Sequence, residues 1–171
     1  TGAHQHVGNW PGKTVEQQTG RFEMDGRHFA VVDLPGVYGL LPVSAEEGIA
    51  VEFLVDRPDV VITVIDAANL ERSIHLVAQI AELGLRQVVA ANMADVAERR
   101  GVEIDYERLG AAFGVEVVRT VARRGEGIDG LRRATTRVMA RSAAQPLVVD
   151  YGPVIERYLA AFDRLGKKDT G

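Results

Sequence analysis

Val31-Val32-Asp33-Leu34-Pro35-Gly36 closes a β-branched run with an Asp-x-x-Gly turn. In nucleotide-dependent switches such a turn follows a strand, so that the Asp reaches the shell of a magnesium ion and the Gly backbone N–H meets a γ-phosphate. Asp and Gly also follow strands simply to make turns, so the reading depends on what accompanies it. Further along, Gln87-Val88-Val89-Ala90-Ala91 runs into Asn92-Met93-Ala94-Asp95. An Asp in that position can accept two hydrogen bonds from guanine, one from its ring N–H and one from its exocyclic amine. Adenine cannot supply that pair, and leaving a buried acceptor unmet costs enough to discriminate.

Strand and helix patterns alternate along the rest of the chain, which predicts a parallel sheet covered on both faces. Arg21 to Met24, Asp25-Gly26 and His28 to Asp33 read as a hairpin with a two-residue turn. Ser44 followed by Glu47 is a capping box opening a helix to Val55. Asp59 to Ile65 reads as a buried strand whose Val60, Val61, Ile62, Val64 and Ile65 fill both faces. Asn69 is expected to cap a helix with Ile74, Val77, Ile80 and Ala81 at helical spacing, ended by Gly84. A helix near Tyr106 to Phe113, a strand at Val115 to Arg119 and a helix from Ile128 to Ala140 follow. After Gln145-Pro146 the pattern changes, and Val154, Ile155, Leu159 and Phe162 mark the apolar stripe of another amphipathic helix.

With 171 residues, 46% of them hydrophobic and 26% charged, the chain can bury one sizeable core. The absence of Cys excludes a disulfide framework and thiolate metal sites. A net charge of -4 argues against a nucleic-acid partner, which wants a basic face. Arg99-Arg100, Arg123-Arg124 and Arg132-Arg133 read as solvated faces. No apolar stretch reaches the ~18 residues of a membrane span. The four His, at 4, 6, 28 and 75, lack the i, i+4 pairing of helical metal ligands.

A phosphate-binding loop requires G-x-x-x-x-G-K-[ST] between a strand and a helix. Gly12-Lys13-Thr14 imitates its end only. The first Gly of the motif falls at Val7, Gly8 is one residue too close, Pro11 removes a backbone N–H, and no apolar strand precedes the segment.

Taken together, Val7-Gly8-Asn9-Trp10-Pro11-Gly12-Lys13-Thr14-Val15-Glu16, Asp33-Leu34-Pro35-Gly36-Val37-Tyr38, Asp66-Ala67-Ala68-Asn69-Leu70-Glu71-Arg72 and Asn92-Met93-Ala94-Asp95 resemble the cytosolic G domain of the bacterial ferrous-iron transport protein B (FeoB) family. The resemblance runs in order from the first residue to about Leu131. It implies an α/β, Ras-like P-loop GTPase fold in three layers, with a mostly parallel sheet. Residues 1–145 would form the G domain and residues 146–171 a linker and the first helix of a following helical domain. In the family the true phosphate loop lies upstream of the Gly8 to Glu16 segment, and Thr1-Gly2 resembles the end of the helix after that loop. The expectation is therefore an N-terminally truncated G domain, lacking its first strand and phosphate loop and inactive as a GTPase on its own.

The resemblance also implies roles. Gly12, Lys13, Thr14, Val15 and Glu16 belong to the first switch, where Thr14 closes on magnesium and the γ-phosphate; Lys13 departs from the family's usual apolar residue. Asp33, Leu34, Pro35 and Gly36 form the second switch, with Asp33 meeting magnesium through water. Thr14 and Gly36 are the catalytic candidates, because Val37 stands where Ras-like enzymes place the Gln that orients water. Asn92, Met93, Ala94 and Asp95 read the base, Met93 covering one face of the ring with its apolar stem. Val121, Ala122 and Arg123 align with the last guanine loop, which works through backbone N–H groups; Ala122 replaces the usual Ser and loses a hydroxyl cap. The implied cofactors are GTP or GDP, Mg2+ and a monovalent cation such as K+. The implied partners are the helical and transmembrane parts of the same transporter, with room for a homo-oligomer, at the cytoplasmic face of the bacterial inner membrane.

Two functions of different class follow. One is the GTP-hydrolysing regulatory domain of a ferrous-iron transporter. The other is a degenerate or truncated guanine-binding interaction module without hydrolysis. A strand followed by G-x-x-x-x-G-K-[ST] within ~25 residues upstream of Thr1 favours the first. A GTPase of the ribosome-assembly type is disfavoured by the acidic balance.

Overall fold

The computed structural model describes residues 4–10, 16–24, 26–40, 44–141, 145–150, 152–153 and 155–157. The chain opens with an antiparallel sheet of three strands, β1 (His4–Asn9), β2 (Glu16–Met24) and β3 (Arg27–Asp33). The expected hairpin is present, with Met24 opposite Arg27, and Phe22 stacks on its partner Phe29 at 4.7 Å between ring centroids. A cross-strand aromatic pair of this kind contributes roughly 0.2–1 kcal/mol and holds the register. A strand does precede Trp10, though not the apolar one a phosphate loop follows. Its residues are mostly polar and it pairs with β2 from His4 opposite Arg21 to Asn9 opposite Glu16. Among the described residues the next regular element after β1 is another strand, not the helix that would follow a phosphate loop.

The second half builds the three-layer unit. Its elements are α1 (Ala45–Val55), β4 (Val61–Asp66), α2 (Leu70–Glu82), β5 (Gln87–Asn92), α3 (Ala94–Arg99), α4 (Tyr106–Phe113), β6 (Glu116–Arg119) and α5 (Ile128–Ala140). Strands β4, β5 and β6 are parallel, with β5 in the middle. Ser44 caps α1 with the predicted box: its hydroxyl accepts from the Glu47 amide, and the Glu47 carboxylate accepts from the Ser44 amide, both at 3.1 Å. Asn69 precedes α2 but does not cap it; its side-chain amide donates to Asp66 Oδ2 at 2.7 Å. The Asn-x-x-Asp segment, expected as a loop, turns at Met93 and becomes the short helix α3.

From Gln87 to Ala91, every residue of β5 is buried. Val89 and Ala91 pack with Ile65, Val77 and Ala97 under α2 and α3, and Val88 packs with Ala134 and Val138 of α5. Strand β4 differs from the expectation that both its faces are filled. Thr63 and Ile65 are buried, whereas Ile62 is 38% and Val64 63% exposed. The reason is positional: β4 pairs with β5 and has no ladder with β3, and α5 lies over β5 and β6. Burying a Val or Leu side chain is worth about 1.5–3 kcal/mol, so this open face forgoes stabilisation that β5 obtains.

Beyond α5, Pro146 lies over Gly84, where a β-carbon would come within 2.9 Å of the proline Cγ, and the Leu147 amide donates to the Ala81 carbonyl at 2.9 Å. Residues 152–153 and 155–157 are helical, with Ile155 exposed. Val154, Leu159 and Phe162 of the expected stripe lie outside the described residues, as do Thr1 and Gly2.

Candidate functional site

Parallel strands direct their carboxyl ends to one edge of a sheet, where open α/β folds place ligands. Here that edge carries Asp66, Asn92 and Arg119, the last residues of β4, β5 and β6. Asn92 ties two loops together. Its Oδ1 accepts from the Ala122 amide at 3.0 Å and from the Thr120 hydroxyl at 3.5 Å. The main chain adds a second tie: the Thr120 amide donates to the Ala91 carbonyl and the Ala94 amide to the Thr120 carbonyl. Asp66 shapes the neighbouring loop by accepting from the Ala68 amide at 2.8 Å and from Asn69.

Met93 has φ +59°, a left-handed conformation that costs a non-glycine residue roughly 1–2 kcal/mol. That turn starts α3 and brings Asp95 into its first turn while leaving Met93 itself 42% exposed. The Asp95 carboxylate is buried, and its Oδ2 accepts from Arg123 at 2.5 Å and from Arg99 at 3.0 Å, with Arg124 at 3.8 Å. Burial alone would raise the carboxyl pKa. The Arg99 and Arg123 hydrogen bonds outweigh it and hold the group below the ordinary aspartate value, so it is ionised at neutral pH.

Val121 is buried, and the 3-10 turn Ala122–Arg124 follows it. Arg119 braces that turn between Glu98 at 2.8 Å and Glu126 at 3.4 Å. Gly127 closes the loop at φ +81°, where a β-carbon would sit 2.1 Å from the Arg119 carbonyl oxygen; no other residue fits there. A cavity of about 200 Å³ lies elsewhere, at the opposite ends of β5 and β6 between Gln87, Glu116 and Arg141, and has no part in this edge.

Asp33, Leu34, Pro35 and Gly36 sit on the other sheet, at the end of β3. Asp33 is exposed, and a β-carbon on Gly36 would meet nothing within 4 Å, so this turn is open. The stretch after it rests on α2: Arg72 lies over the Tyr38 ring at 4.3 Å, and the Leu40 amide donates to Gln79 Oε1 at 3.0 Å. Trp10 packs edge-on against Phe53 of α1, with 5.9 Å between ring centroids, and so anchors the end of β1. Gly12, Lys13, Thr14 and Val15 lie outside the described residues, and Glu16 opens β2.

The structure therefore brings Asn92, Met93, Ala94 and Asp95 together with Val121, Ala122 and Arg123, and leaves Asp33 to Gly36 on a separate edge. Sequence reasoning had no signal for Arg99, Arg124, Thr120, Arg72 or Gln79. Only the i, i+4 spacing of Asp95 and Arg99 could have pointed to one of these contacts.

Residues 1–135 match the protein-family model described as ferrous iron transport protein B. The Fe(2+) transporter FeoB of Shigella flexneri is 40% identical over 159 residues, covering 86% of this chain and 21% of the relative. The solved cytosolic domain of Legionella (L. pneumophila) FeoB superposes with a TM-score of 0.89 at 37% identity, covering all of this chain and 68% of that one. The cytosolic domain of T. maritima FeoB in its GMPPNP form also has a TM-score of 0.89, at 34% identity, covering 94% of this chain and 64% of the other. The chain spans about a fifth of the length of the curated relatives it matches.

Proposed function

We propose that this chain, which belongs to the ferrous iron transport protein B family, binds guanine nucleotides and hydrolyses GTP as the regulatory domain of a ferrous-iron membrane transporter. The observation that carries this reading is the junction of the two loops at the sheet edge. Asn92 holds the Ala122 amide at 3.0 Å, and the ionised, buried Asp95 carboxylate stands at the same junction. A fixed carboxylate takes guanine's ring N–H and exocyclic amine together, and the discrimination against adenine comes from the acceptor it would leave unmet. The loop of Val121, Ala122 and Arg123 borders the base in this reading, with the Val121 amide given to the Glu126 carbonyl and the Ala122 amide to Asn92; Ala94 lies between Met93 and Asp95, and exposed Met93 is free to cover one face of the ring.

The phosphate side rests on Gly12 to Glu16 and on Asp33, Leu34, Pro35 and Gly36. Asp33 is an exposed carboxylate at a strand end, and no group of three or more His, Asp, Glu or Cys side chains gathers among the described residues. That suits Mg2+, which keeps most of its waters and takes its remaining ligands from phosphate oxygens. Thr14 and, through water, Asp33 would hold it, and it would neutralise phosphate charge; K+ is the monovalent cation of this reading. The open Gly36 amide is free to meet a γ-phosphate, and Val37 offers no side chain to orient water, so backbone groups carry that task. The G-x-x-x-x-G-K-[ST] pattern occurs nowhere in the 171 residues, and this reading takes the rest of the phosphate site from outside them.

The partners of this reading are the helical and transmembrane parts of the same transporter, at the cytoplasmic face of the bacterial inner membrane. Among the described residues no helix is long and apolar enough to cross a membrane. In this reading residues 1–145 are the G domain and 146–171 the way into the next, a passage that begins with Pro146 and Leu147 resting on the end of α2.

Nucleotide competition on the full-length protein tests the proposal. The parent should prefer GDP to ADP, and Asp95→Asn, which turns an acceptor into a donor, should weaken GDP binding by about 30-fold or more while xanthosine diphosphate gains. An unchanged preference for GDP in Asp95→Asn would reduce Asn92-Met93-Ala94-Asp95 to a turn.

A further inference from the structure

We infer that Arg123 is the chain's own occupant of the guanine seat, a guanidinium that holds the Asp95 carboxylate until a base displaces it. This rests on the guanine-binding reading above and adds a regulator to the same site. Guanine's recognition edge, a ring N–H and an amine on one carbon, is chemically a guanidine unit. A carboxylate binds it with both oxygens through two parallel N–H bonds, as it binds arginine. In the structure all the cationic contacts fall on one oxygen, Oδ2, with Arg123 the shortest at 2.5 Å. A base that needs both oxygens must first free that one.

The three arginines are not equivalent. Arg99 lies one turn along the same helix as Asp95 and travels with it. Arg124 sits farthest, at 3.8 Å, and also contacts Glu126 at 3.6 Å. Arg123 reaches across from the turn after β6, has Asp95 as its one acidic contact among the described residues, and is 64% exposed. Water can therefore take its guanidinium at little cost when it leaves. The turn that carries it is pinned by Asn92 to the end of β5, so Arg123 remains beside the seat and can reoccupy it. Such a contact lowers affinity for guanine and speeds its release.

The test uses fluorescent mant-GDP on the full-length protein, with ADP competition as control. Arg123→Ala should bind GDP about 1.5- to five-fold more tightly, the range expected for one exposed cation competing at a carboxylate, mainly through slower dissociation. ADP should be unaffected, because it does not use Asp95. Arg123→Lys, which keeps the charge but loses the planar fork, should fall between parent and alanine variant. Equal or weaker GDP binding in Arg123→Ala, or a parallel change for GDP and ADP, overturns the inference. A parent with no preference for GDP over ADP sinks the guanine-binding reading instead, and this inference falls with it.

Discussion

Strands β4 and β5 are neighbours with the same hydrophobic vocabulary and opposite fates. In β5 five consecutive residues are buried, because α2 and α3 cover one face and α5 the other. In β4 burial alternates: Thr63 and Ile65 are enclosed, Ile62 and Val64 are open. The same contrast separates the halves of the candidate site. The base side, at the end of β5, is held by Asn92, Thr120 and an arginine cluster around Asp95 before any ligand arrives. The proposed phosphate side, at the end of β3, has an open Gly36 and an exposed Asp33, and among the described residues the segment after it meets α2 through Tyr38 and Leu40. On the proposed reading, a site tied by these contacts on the base side and open on the phosphate side would hold both GDP and GTP while responding to the γ-phosphate.

The largest expected effect breaks the contrast between the two strand faces. Ile65 is 1% exposed within the core that includes Val77 and Val89, so Ile65→Ala should cost about 2–5 kcal/mol of unfolding free energy. Val64→Ala, one residue away, should cost under about 1 kcal/mol, because its side chain already faces solvent. Urea unfolding of both variants checks this; equal losses would mean that the Val64 face is covered in the protein.

What could be read in advance follows the same division. The Ser44 and Glu47 box, the bounds of α4 and α5 and the buried run of β5 are local signals, written within one turn or one strand of sequence. Strand β1 was not legible, since His4-Gln5-His6 has no apolar alternation and owes its conformation to a register with β2. The exposure of Val64 was not legible either, because a β-branched run does not say which neighbours lie over it. At the site, Asn92 and Asp95 were visible as a motif. Their partners were not: Arg123 and Asp95 are 28 positions apart, and only the crossover from β5 to β6 brings them together.

A smaller effect separates the two sides of the site. If the first switch closes only on a γ-phosphate, Thr14→Ala in the full-length protein should slow GTP hydrolysis by at least ~10-fold, about 1.4 kcal/mol, while GDP affinity holds. Trp10, four residues before Thr14 and packed on Phe53, reports on that segment. Its fluorescence should change when a non-hydrolysable GTP analogue binds the parent and stay constant in the variant. Equal loss of GDP and GTP binding would make Thr14 a structural residue and end the switch reading of Gly12 to Glu16.

The smallest effect concerns Asp95 and acid. Burial works to raise its pKa, but the hydrogen bonds from Arg99 and Arg123 prevail and lower it below the ordinary 3.8. A carboxyl whose folded pKa is depressed adds stability that is present above its unfolded pKa and disappears as pH falls through the folded value. The contribution is therefore intact at neutral pH and fades below about pH 4. The arginine side chains are more than half exposed, and solvent screens the pairs, so the acid limb should be shallow. Thermal melts between pH 7 and pH 3 should show the parent losing more Tm across the acid range than Asp95→Asn, whose amide does not titrate. Raising ionic strength should shrink the difference, because the same screening weakens the arginine contacts. Parallel acid limbs would show that Arg99 and Arg123 do not hold the carboxylate in solution, and the base side of the site would then be as open as the phosphate side.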